Sequence, residues 1–203
     1  MSLWLRIILA LISIYFAVRF GAFSYNRRSW EMGSYSLSLF FLGLHHAGVG
    51  IAEASNLQNI TLQAALQVSE WSSITAIAFL LCGLLQLIRE SKPGLARFPL
   101  IFTGLPLLII ISYPFAHEAD IINRWLLKLY EGAGLVVGLI MYGYFTYTKK
   151  RKKYLYVLVG IVLLSAAYVL HWFLGFISFL QPWSWLLLFI IGIVILYKGL
   201  SER

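Results

Sequence analysis

The stretch Gly43-Leu44-His45-His46-Ala47-Gly48-Val49-Gly50 sets two adjacent histidines in a run otherwise apolar and long enough to cross a bilayer. An ionisable side chain in hydrocarbon is costly to insert and marks a functional site by default. Imidazole is both a near-neutral acid–base group and the commonest metal ligand. Two more such residues, Glu131 and His171, stand inside other apolar runs. At 1.5 Å of rise per residue, His46 lies roughly 10 Å below the outer end of its span, His171 roughly 12 Å and Glu131 roughly 9 Å. Three potential ligands on three spans at nearly one depth predict a shared pocket. Consecutive helical residues point about 100° apart, so one of His45 and His46 is expected to face the bundle centre. Glu70, His117, Glu118 and Asp120 stand higher and would ring the pocket mouth. All 4 histidines fall in the outer halves of their spans, so the pocket is expected to open outward.

Imidazole with carboxylate suits zinc, copper or iron. A metal so held could activate water, with Glu70, His117 or Asp120 as general acid or base. His46 and His171 could instead clamp a haem between two spans. The bland alternative is that each histidine hydrogen-bonds a neighbouring helix and does nothing more. The spacing gives no HExxH or HxxxH metal motif and assigns no Ser–His or Cys–His pair. Span 183–200 has no mid-span lysine for a retinal Schiff base, because Lys198 is at its end. Cys82 is the single cysteine, which excludes an intrachain disulfide and a thiolate cluster. It is expected to be a small buried apolar residue.

These residues need a membrane bundle to position them. The chain is 61% hydrophobic and 12% charged, far from the near-even apolar balance and quarter charge of a soluble domain. A span needs roughly 20 apolar residues, so the length predicts an all-α bundle of seven transmembrane helices with no separate soluble domain. The spans are expected at about 3–24, 34–53, 70–88, 98–116, 125–147, 154–179 and 183–200. Leu57 to Val68 has apolar residues at helical spacing and is expected to lie flat on the membrane. Gly134 and Gly138 share a face on which another helix can approach closely.

Twelve of the 16 basic residues follow spans one, three, five and seven: Arg27 and Arg28; Arg89, Lys92 and Arg97; the run 149–153; Lys198 and Arg203. The positive-inside rule then puts the N-terminus outside and the C-terminus in the cytoplasm. The net charge of +8 reports cytoplasmic loops beside anionic lipid rather than a nucleic-acid partner.

His45-His46-Ala47-Gly48 and His171-Trp172-Phe173-Leu174-Gly175 resemble the His-plus-Gly outer ends of bacterial sensory MHYT domains, without that pattern's Met and third repeat. The resemblance would imply a sensor. The lack of a long catalytic loop and of any enzyme signature favours a ligand- or metal-binding sensor, or an accessory subunit of a complex in the plasma (inner) membrane, with a protein partner there. The alternative is a metal-dependent membrane enzyme acting on a lipid or other apolar substrate. A haem b electron-transfer protein or a transporter ranks third.

Overall fold

Apolar runs uninterrupted by proline propagate as helices, and in lipid they must, because every backbone polar group has to be satisfied within the protein. The computed structural model describes residues 2–54, 59–91, 120–173 and 183–201, without the side chains of 2, 59–63, 84–85, 87–91, 120–131 and 172–173. Among the described residues there are six α-helices: α1 Ser2–Arg27, α2 Trp30–Ala54, α3 Asn59–Ser91, α4 Asp120–Lys149, α5 Lys152–Phe173 and α6 Ser184–Ser201. Five of them, all but α4, contain a stretch long and apolar enough to cross a membrane. The protein is therefore an all-helical, multi-pass membrane protein. The expected fourth span, 98–116, lies outside the described residues.

α3 begins well before the expected limit of its span. The segment expected to lie flat on the membrane does not form a separate element, because from Asn59 onward it belongs to the 33-residue α3. No Gly or Pro separates it from the span, and Ala64, Ala65, Leu66 and Gln67 are good helix formers. At about 50 Å, α3 is longer than the roughly 30 Å hydrocarbon core and extends beyond it. Cys82 is only partly buried.

The chain divides into two compact units, Ala10–Leu129 and Met1–Leu9 with Tyr130–Arg203. In the first, α2 is antiparallel to both α1 and α3. Ser36 Oγ donates to the Ala17 carbonyl of α1 at 2.7 Å, and Ser38 Oγ to the Ala76 carbonyl of α3 at 2.7 Å. Residues two apart point about 200° away from each other on a helix, so the two serines reach opposite neighbours. The α1–α2 turn is closed by backbone geometry. Arg28 adopts φ 50°, Ser29 N–H reaches back to the Ser24 carbonyl at 3.2 Å, and the Ser29 hydroxyl accepts from Met32 N–H at 3.4 Å. This is a Schellman end followed directly by an N-cap.

In the second unit α5 is antiparallel to α4 and α6. Phe145 of α4 stacks on Tyr154 of α5 at 5.6 Å. Between α5 and α6 the backbones themselves approach: a Cβ on Gly160 would stand 2.8 Å from Leu196 N, and one on Gly199 2.7 Å from Val157 N. Gly134 and Gly138 are buried, in keeping with close approach on that face of α4. The first unit turns hydroxyl residues inward (Ser13, Ser38, Ser69, Ser72 and Thr75 are buried) and the second turns glycines inward (Gly160, Gly192 and Gly199 are buried), while Leu11, Val18, Ile140 and Val169 are exposed. That distribution suits lipid, where apolar surface needs no shelter and small residues let helices touch.

Gly160→Ala should therefore separate α5 from α6 and lower stability by about 1–3 kcal/mol. Gly143→Ala, where a Cβ meets nothing within 4 Å, should leave the melting temperature unchanged or raise it. Thermal unfolding of both variants in detergent measures the contrast.

Candidate functional site

Antiparallel packing pairs residues 45 and 69 just as it pairs 38 and 76. At this level Gly48 lets α3 come close, since a Cβ there would lie 3.3 Å from Ser69 Cβ. Ser69, 1% exposed, is thereby set against the His45 ring. His45 Nδ1 lies 2.9 Å from the Ser69 carbonyl and 2.8 Å from Ser69 Oγ. The Ser69 hydroxyl donates to the His45 carbonyl at 3.2 Å. Of the two neutral tautomers, the one with its proton on Nδ1 satisfies these contacts together. Nδ1–H then donates to the Ser69 carbonyl, and the lone pair is carried by Nε2. A backbone carbonyl on one ring nitrogen is the usual device for fixing a histidine whose other nitrogen binds a metal or accepts a proton.

His46, 2% exposed, meets His45 edge to face at 4.8 Å. It lies on the same helix face as Gly43 three residues earlier, and Gly43 packs against α1, where a Cβ would be 3.3 Å from the Ala10 carbonyl. The two histidines thus serve different neighbours, His45 the α3 side and His46 the α1 side. The glycines of the motif are there for helix approach. Phe41 lies beneath the histidines, stacked on Phe79 at 5.8 Å and edge-on to Trp71 at 5.8 Å. Glu70, partly buried, follows Ser69 on α3.

The Ser69–His45 contact was not legible from spacing, because the partners are 24 residues apart and on different helices. The α2–α3 register alone brings them together. It is an anchor rather than an activated nucleophile: a serine poised for attack gives its proton to the imidazole, whereas Ser69 gives its proton to a carbonyl.

In the other unit, His171 at the end of α5 is exposed and lies 4.4 Å from the Trp185 ring. The Arg6 guanidinium stands 5.5 Å from the same indole centroid, within cation–π range. Gly132 of α4 faces Tyr168, one turn before His171. The backbone at Glu131 is thus close to the level of His171, while the side chains of Glu131 and Asp120 lie outside the described residues, as do His117 and Glu118 entirely. His46 belongs to one unit and His171 to the other, and the Glu131 side chain lies outside the described residues. Among the described residues no three His, Cys, Asp or Glu side chains form a group that could hold a metal ion.

A double-mutant cycle between His45→Ala and Ser69→Ala should give a coupling of about 0.6–1.7 kcal/mol, the range for interhelical hydrogen bonds in lipid. His45→Ala with Ser72→Ala should give none, because the Ser72 hydroxyl donates back to the Val68 carbonyl of its own helix at 2.7 Å. No protein-family model matches the chain, and no curated protein or solved structure matches it.

Proposed function

We propose that the protein is a seven-span membrane sensor, or an accessory subunit of a membrane complex, that holds a small ligand or transition metal at His45 and His46 in an outward-opening pocket. The carrying observation is the anchored imidazole of His45, whose Nδ1 contacts on Ser69 direct the Nε2 lone pair. A histidine needed only to glue two helices requires one good bond. Here the ring is oriented by both the carbonyl and the hydroxyl of Ser69, with a second, buried imidazole against it. Glu70, next to Ser69 on α3, would stand at the mouth of the site. Zinc, copper or iron fits such donors.

Seven spans follow if both 98–116 and α4 cross, in addition to the five apolar helices. An odd number places the termini on opposite sides, and the distribution of Arg and Lys puts the N-terminus outside. In a Cys82→Ala background, a cysteine at position 58 should react with an impermeant thiol reagent in intact cells and one at 151 should not. The reverse pattern would invert the topology.

Metal content and thermal stability, measured side by side on purified protein, test the site. His45→Ala and His46→Ala should remove bound zinc, copper or iron, or abolish its uptake when added, in protein that still unfolds cooperatively, while Ser69→Ala, at a similar melting cost for loss of the same interhelical contact, should retain part of it. Unchanged uptake with a lowered melting temperature would make the histidines structural and refute the reading.

A further inference from the structure

The end of the Tyr130–Arg203 unit where α4 turns into α5 gathers more positive charge than the loop alone carries. Lys149, Lys150, Arg151, Lys152 and Lys153 are consecutive, and all but the half-buried Lys153 are exposed. The turn is short because Lys150 adopts φ 46°, its N–H closing α4 on the Thr146 carbonyl at 3.2 Å. Lys149 is thereby held with its Nζ 5.4 Å from the Phe145 ring and 5.9 Å from the Tyr154 ring. Lys153 Nζ lies 5.0 Å from that same Tyr154 ring. A third cation arrives from a distant part of the chain. Gly199 brings α6 against α5 beside Lys153, where a Cβ would be 2.8 Å from the Lys153 carbonyl. This sets Lys198 Nζ 4.6 Å over Tyr156. Lys153 and Tyr156, three apart, are neighbours on one helix face. Lys149 and Lys153 thus share the Tyr154 ring, and Lys198 stands over Tyr156, so three cations flank the start of α5 on its two sides.

Two ammonium groups at one tyrosine ring repel each other, by about 1 kcal/mol at 4 Å in water and more near a low-dielectric surface. Two carboxylates belong to this unit by sequence. Glu131 is roughly 27 Å away along α4, and Glu202 lies outside the described residues. Exposed Tyr144 and Tyr147 on the last turns of α4 are residues that favour the headgroup level. The cations and the rings together match one partner chemistry, a phosphodiester anchored in the adjacent leaflet.

We propose that this end of the unit is a binding site for an anionic phospholipid headgroup, attracted by Lys149 and Lys153 at the Tyr154 ring and by Lys198 at the Tyr156 ring. The site is independent of the histidine site.

The full chain in neutral detergent would be titrated with phosphatidylglycerol, phosphatidylcholine of the same acyl chains, and glycerol 3-phosphate, bound lipid being counted by native mass spectrometry. Phosphatidylglycerol should bind about tenfold more tightly than the other two. Lys198→Gln alone should weaken it about fivefold, the effect of one cation near a phosphate surface, and Lys198→Arg should restore it. Lys149→Gln/Lys153→Gln/Lys198→Gln should weaken it far more than Lys150→Gln/Arg151→Gln/Lys152→Gln, which removes equal charge. Melting temperatures verify that each variant is folded. If a triple variant unfolds, the Lys198 pair decides. Equal losses in the two triples, no effect of Lys198→Gln, equal binding of phosphatidylcholine, or glycerol 3-phosphate binding as tightly as the lipid would each overturn the proposal.

Discussion

How closely two helix backbones can approach governs the rest of this structure. In hydrocarbon there is no hydrophobic drive to press helices together, so contact area and interhelical hydrogen bonds must do it. The α5–α6 pair uses glycine: at Gly160 and Gly199 even a methyl group would strike backbone atoms of the partner. The α1–α2–α3 hairpins use hydroxyls, with Ser36 and Ser38 of α2 each donating to a carbonyl that already serves its own helix. Such a carbonyl has a second lone pair, so the bond adds cohesion without unravelling a turn.

The histidine stretch follows from the same constraint. Gly43 and Gly48 face different partners, one α1 and the other α3. The two histidines are divided in the same way. The close approach at Gly48 brings the Ser69 carbonyl within 2.9 Å of His45 Nδ1, and this contact sets the tautomer and orientation of the ring. Packing and chemistry are here the same geometry. A bulkier residue at 48 would push α3 away and release the imidazole along with the helix.

Aromatic rings carry the charged groups in the other unit. At one end Trp185 lies between Arg6 and His171. At the other, Tyr154 and Tyr156 underlie Lys149, Lys153 and Lys198. A ring face offers a cation partial compensation without a counter-charge, and its apolar body suits the boundary of the bilayer. The chain can thus hold cations where the hydrocarbon ends, with few carboxylates nearby.

Membrane character, helical class and most helix limits were legible in the sequence, because they depend on local properties: apolar length, basic runs and breakers. The turn after Arg27 is of this kind. The separate amphipathic segment before Glu70 was misread because apolar spacing reports a face, not a break, and nothing between Asn59 and the span interrupts the helix. The histidines were also legible as the costly residues of an apolar chain. Tertiary structure decided what each one meets. His45 turns to α3 and His46 toward α1, Ser69 enters the site, and Lys198 joins the cations of a loop far from it in sequence. Each of these depends on the register between antiparallel helices, which small-residue contacts set across the interface and which no single segment encodes.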